Sequence, residues 1–129
     1  MTITDIIEYI MVLSLGLLLG SFAGALSYRI PRKLSWASFS GKESRSACPS
    51  CKATLTVKDL VPVLSWLLQK GQCSHCRTPI SVRYPLIELS SAVICLVLYA
   101  IFGWNAQLWF AFAAVPFALA FAVIVIEQK

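Results

Sequence analysis

The sequence predicts an all-α membrane protein with about three transmembrane helices and one long polar loop. Three observations carry that prediction. The chain of 129 residues is 58% hydrophobic and only 13% charged, too little polar surface to cover a globule in water. Apolar runs at about 7–28, 86–102 and 108–126 approach or exceed the length needed to cross hydrocarbon. The cations are confined: of eleven Lys and Arg, all but Lys129 fall between Arg29 and Arg83. A single domain over 1–129 is expected.

Residues 1–5 are short and polar, and the first apolar run extends from Ile6 to Tyr28, interrupted only by Glu8 and small residues. A secretory signal peptide is disfavoured. The N-terminal region carries Asp5 and Glu8 instead of Lys or Arg, and no small-x-small cleavage site precedes a mature domain. Gly16, Gly20 and Gly24 form a double G-x-x-x-G, extended by Ser21, Ala23 and Ala25. Such a face admits the backbone of another helix; the alternative is small residues that merely tolerate lipid.

Arg29-Ile30-Pro31-Arg32-Lys33 closes the first helix, because Pro31 cannot continue it cheaply. Residues 34–47 read as a Ser-rich loop with Gly41. The apolar stretch from Leu60 to Leu68 is too short to span. It either packs on the cysteine pairs that flank it or lies at the membrane interface, where Trp66 is suited. Gly71 permits a turn. Arg83-Tyr84-Pro85 opens the second span, with Pro85 near the first turn, where its missing N–H costs little. Gly103-Trp104-Asn105-Ala106-Gln107 is a short uncharged turn with an interfacial Trp, and Pro116 is tolerated within the third span.

The connection 29–83 carries ten Lys and Arg against two acids, Glu43 and Asp59, and the other connection is uncharged. The positive-inside rule therefore places this loop in the cytoplasm and the N-terminus outside. The same cations, among them Lys52, Lys58, Lys70, Arg77 and Arg83, suit anionic lipid headgroups. Membrane lipid is the expected partner, and nucleic acid is not.

Two C-x-x-C pairs stand inside the loop, Cys48-Pro49-Ser50-Cys51 and Cys73-Ser74-His75-Cys76. Each can present two thiolates across one tight turn, and the gap between pairs is slightly longer than the usual four-cysteine zinc spacing. Cytoplasmic thiols stay reduced, so metal is preferred over disulfides. Disulfides, another metal or unliganded thiols are the alternatives. The expectation is a cytoplasmic four-cysteine, zinc-knuckle-like loop with Cys48, Cys51, Cys73 and Cys76 as ligands. Four cysteines fill a tetrahedral zinc and leave no place for water, so the metal is structural. His75 is a substitute ligand or an exposed turn residue. Cys95 is expected to be a packing residue.

No catalytic residue is predicted. The chain has no H-E-x-x-H and only two aspartates, Asp5 and Asp59, which this topology puts on opposite sides of the membrane. An aspartyl dyad needs carboxylates close enough to share a proton. Glu88, at the start of the second span, is either functional or an acid favoured by the helix dipole and paired with Arg83.

Several stretches together resemble the N-terminal part of the type IV prepilin peptidases. These are Gly20-Ser21-Phe22, Tyr28-Arg29-Ile30-Pro31, both cysteine pairs, Pro62-x-Leu64-Ser65-Trp66-Leu67, Gly71-x-Cys73, and Pro79-Ile80-Ser81-x-Arg83-Tyr84-Pro85-Leu86-x-Glu88. That family, peptidase A24, comprises bacterial inner-membrane enzymes that cut and N-methylate prepilins and type II secretion pseudopilins. The resemblance implies a multi-pass inner-membrane protein whose four cysteines form the family's cytoplasmic zinc-type knuckle. It also shows departures. The family's first-helix Asn falls on Gly24. Its first catalytic Asp falls on Val125, with Glu127 two residues on, and the later Gly-x-Gly-Asp motif is absent. The expected function is thus the N-terminal metal-binding membrane module of such a protein, without peptidase activity alone. A separate catalytic half would dock on the small-residue face of the first helix and on the third span, and prepilin or pseudopilin is the associated substrate. A retained methyl-transfer role is weaker, since no Gly-rich cofactor loop is present. The alternative is a non-catalytic membrane-anchored zinc protein that assists pilus or secretion-system assembly.

Overall fold

The computed structural model of the chain describes residues 1–34 and 45–129; the Ser-rich loop expected over 34–47 lies mostly outside them. Helix α1, Ile3–Arg29, begins ahead of the apolar run because Thr2 and Asp5 form a reciprocal cap. The Thr2 hydroxyl accepts from the Asp5 N–H at 3.3 Å, and the Asp5 carboxylate accepts the Thr2 N–H at 2.6 Å. Asp5 is thereby committed to starting the helix. A single 3-10 turn, Val57–Leu60, and the five-residue α2, Leu64–Leu68, follow in the loop. Helices α3, Arg83–Phe102, and α4, Ala106–Glu127, complete the chain. Asn105 caps α4 by accepting the Leu108 N–H at 3.0 Å. Helices α1, α3 and α4 are each long and apolar enough to cross a membrane. Among the described residues there is no strand, only two isolated bridges.

The glycine stripe of α1 packs on α3. A Cβ added at Gly16 would lie 2.6 Å from the Ala92 Cα, and one at Gly20 would lie 2.5 Å from the Glu88 Cα. Gly24 meets the Tyr84 ring. The face expected to receive a separate catalytic half is therefore already covered by this chain's own helix. The small residues do bring two backbones together, and the partner is intramolecular. Val12, Cys95, Leu108, Phe112 and Val115 form the core shared with α4, so Cys95 is a packing residue. Phe110, Phe121 and Ile126 point outward, toward lipid in a membrane.

Polar ties fasten both ends of the bundle. At one end Tyr99 Oη donates to the Glu8 carboxylate, and the Tyr9 and Tyr99 rings meet edge to face at 5.3 Å. At the other, Arg83 donates to Ser27 Oγ at 2.9 Å and forms an ion pair with Glu127. This triad gathers the end of α1, the start of α3 and the end of α4 on one side, where the cysteine loop emerges. It also corrects the expected Glu88–Arg83 pair: Arg83 reaches back to Ser27 and across to Glu127, while Glu88 turns to the loop.

Candidate metal centre

Each cysteine pair sits in the same hydrogen-bonded turn. In the first, the Cys48 N–H donates to Ala53 O at 3.0 Å and the Lys52 N–H to Cys48 O at 3.0 Å. In the second, the Cys73 N–H donates to Thr78 O at 2.9 Å and the Arg77 N–H to Cys73 O at 3.0 Å. The match continues outward, with the Leu55 N–H on Ser46 O and the Ile80 N–H on Gly71 O. Residues 46–55 and 71–80 are thus two copies of one knuckle. Both turns require a left-handed residue just after the second cysteine. Lys52 (φ 59°) and Arg77 (φ 58°) occupy those places, where glycine would be the easier choice. Each is a cationic residue directly after the second cysteine of its pair.

The two knuckles bring Cys48, Cys51, Cys73 and Cys76 together, with all four sulfurs within 4.8 Å of one another. The Cys48 and Cys76 Sγ atoms are 3.7 Å apart. A tetrahedron of sulfurs about 2.3 Å from zinc has edges of about 3.8 Å, so the cluster fits a four-thiolate metal ion. All four are free thiols; Cys48 and Cys73 are buried, Cys51 and Cys76 exposed.

Their acidities are spread apart. The Cys51 N–H foremost holds the Cys48 thiol below its ordinary range. The Thr78 hydroxyl, 3.1 Å away, and the Thr78 N–H bring Cys76 down to about 6. For Cys51 the Ala53 N–H favours the thiolate, but desolvation and the neighbouring cysteines outweigh it and push the thiol up to about 11. Four thiolates this close need a bound cation to ionise together. His75 is exposed, with Nδ1 3.1 Å from Ser74 Oγ, and lies outside the sulfur cluster. Its backbone N–H instead donates to Cys73 Sγ at 3.5 Å.

The stretch between the knuckles ties them to the bundle. Asp59 is the hub. One carboxylate oxygen accepts the Thr56 N–H and hydroxyl, both at 2.8 Å. The other accepts Gln69 Nε2 at 2.7 Å and Ser74 Oγ at 3.2 Å. These bonds, the Thr56 N–H first, hold its carboxyl below the usual range. Trp66 lies on Gly71, where an added Cβ would be 2.9 Å from the ring, and its indole N–H donates to Ile80 O at 3.1 Å. Glu88 of α3 then accepts the Val63 N–H at 2.5 Å. Neither the tying role of Asp59 nor the Glu88–Val63 contact was identified from the sequence. The capping pattern Thr56-x-x-Asp59 was the one signal that could have exposed the first.

The sequence matches the family model of the Bacterial Peptidase A24 N-terminal domain over residues 14–102, which takes in most of α1, the cysteine loop and α3. The chain belongs to the A24 N-terminal domain family. Curated relatives of this A24 domain are called prepilin leader peptidase/N-methyltransferase. That of Burkholderia pseudomallei strain K96243 is 36% identical over 130 residues, covering 85% of this chain and 42% of the relative. That of Bacillus subtilis strain 168 is 39% identical over 113 residues, covering 88% and 42%. That of Neisseria gonorrhoeae is 36% identical over 110 residues, covering 70% and 38%. The chain spans about two fifths of the length of these relatives. No solved structure matches it.

Proposed function

We propose that these residues are the metal-binding membrane module of a prepilin-peptidase-like protein of type IV pilus or type II secretion systems. The observation that carries the reading is the four-sulfur cluster seated on an A24 N-terminal domain. Cys48, Cys51, Cys73 and Cys76 hold a structural zinc, which clamps a cytoplasmic loop over one end of a bundle in the bacterial inner membrane. The relatives' names bring prepilin into view as the substrate of the whole assembly. The module itself performs no proteolysis. Both of its aspartates are engaged locally, Asp5 in the α1 cap and Asp59 in the loop hub. At the last turns of α4, Val125 is apolar and exposed and Glu127 is held by Arg83. The carboxylate pair that hydrolysis requires comes from further helices, in the same polypeptide or in a second one. These meet the bundle on surfaces other than the glycine stripe.

The test has two parts. Protein purified under reducing conditions should contain one zinc per chain, and its absence would remove the metal centre. Co-expression with a catalytic A24 half should give prepilin cleavage that neither part gives alone. Pilus assembly restored without any change in cleavage would instead favour the non-catalytic assembly role.

A further inference from the structure

The loop's apolar stretch has one face that nothing among the described residues covers. Ser65, Trp66 and Gln69 turn toward the knuckles: Ser65 Oγ donates to Lys58 O at 2.6 Å, Trp66 rests on Gly71, and Gln69 reaches Asp59. The opposite face of α2 carries Leu64, Leu67 and Leu68, which are 52%, 58% and 74% exposed. Residues at i, i+3 and i+4 share a helix face, so the three leucines form one continuous apolar edge. Leu60 and Val61 extend it.

The position of that edge identifies its occupant. The Arg83–Ser27–Glu127 triad marks the charged end of the bundle. Glu88 stands five residues further into α3, about 7.5 Å along the axis. Its side chain leans back toward the helix start and meets the Val63 N–H, immediately before α2. Val63, the residue just before Leu64, is therefore held a few ångström inside the level of Arg83. Exposed Lys58 and Lys70 bracket the leucine edge, with stems long enough to reach outward to headgroups. A backbone N–H at this depth must be paired within the protein, and the Glu88 carboxylate does that.

We infer that α2 is a shallow interfacial anchor: Leu64, Leu67 and Leu68 insert into the headgroup–acyl boundary of the bilayer that the bundle spans, and Glu88 caps the inserted backbone. The knuckles are thereby laid flat on the membrane surface instead of projecting from it. The occupant is lipid rather than a protein helix because the edge begins beside a residue held below the charged end of the bundle and is flanked by cations. The inference needs the bundle in a bilayer and does not depend on the proposed peptidase association.

Leu67→Trp in the full chain tests it, with the protein reconstituted under reducing conditions into phosphatidylcholine–phosphatidylglycerol vesicles. The parent spectrum is subtracted to isolate the added indole. Lipids spin-labelled high on the acyl chain should quench about half of the added emission or more, and aqueous iodide much less, as expected for a helix lying in the interface. Quenching by iodide and not by lipid would overturn the anchor and leave a surface open to a protein partner. Protection from both would overturn it in favour of a second copy covering the edge. Leu68→Trp gives the same readout should the first variant fail to fold.

Discussion

The bundle and the cysteine loop are ordered by opposite means. In the bundle, α1 and α3 touch backbone to backbone at Gly16 and Gly20, and a buried apolar cluster joins α4. In the loop over 45–82, the buried residues are Cys48, Ser65, Gly71 and Cys73, so none of them carries a large apolar side chain. The bundle relies on close packing, which operates in lipid without a hydrophobic drive between helices. The loop cannot gather enough apolar area to offset its chain entropy. It relies on whatever binds the sulfurs and on the Asp59 network. Damage to one region should therefore leave the other largely intact.

Loss of the metal centre should have the largest effect, since apparent binding of structural zinc in small peptides is on the order of 10 kcal/mol. Cys73→Ser removes one of the two buried sulfurs of the proposed centre, so metal content should fall to background and protease should cut within 45–82. Far-UV circular dichroism should keep the helical signal of the bundle. A parallel loss of helix would show that the two regions are one cooperative unit.

Gly20→Leu reverses the pattern. The new Cβ would meet the Glu88 Cα at 2.5 Å, which is backbone and cannot rotate aside. The cost expected from such overpacking is about 3 kcal/mol, read as lower thermal stability in detergent with metal retained. Gly103, whose added Cβ would meet nothing within 4 Å, marks the contrast in crowding, although its φ of +61° makes it unsuitable as a neutral control.

Glu88 joins the two regions, so its variants test how far they are separable. Glu88→Ala leaves the Val63 N–H without its acceptor, a loss of about 1–3 kcal/mol for a buried group. Glu88→Gln keeps a carbonyl oxygen in reach. Faster protease cleavage near Val63 in the alanine variant, with the glutamine variant close to the parent, is the expected order. Equal behaviour of the two would mean that the charge, not the hydrogen bond, matters.

What the sequence revealed follows the same division. Apolar length made the three spanning helices readable, and C-x-x-C spacing made the sulfur cluster readable, because both are local patterns. The Gly16-x-x-x-Gly20-x-x-x-Gly24 stripe announced a close helix contact but not its partner: spacing records that a backbone can approach, not which one. The Val63–Glu88 bond joins residues 25 positions apart through a main-chain donor that every residue but proline carries, so no side-chain pattern marks it. The twofold knuckle was hidden for a different reason. Its left-handed positions hold Lys52 and Arg77 rather than glycine, so the usual turn signal is absent from the sequence.

The smallest expected effect lies within the loop, at Asp59. Its folded carboxyl is held below the ordinary carboxylate range by the Thr56 N–H and hydroxyl, then by Gln69 and Ser74. A depressed folded value means that the ionised group contributes stability above the unfolded value of about 3.9, and this contribution is lost as pH falls through the folded value. Asp59 is partly open to solvent, so screening keeps the effect small; a cap of this kind is worth about 1 kcal/mol. Acid also protonates the cysteines and releases metal, so pH alone would confound the two. Asp59→Asn separates them, because asparagine keeps an acceptor but cannot titrate. The parent should resist loop proteolysis better than the variant near neutral pH, and the difference should begin to close below about pH 4 and vanish below the depressed folded value. A difference that persisted in acid would mean that Asp59 acts by shape rather than charge, and the hub would then be a packing feature of the loop.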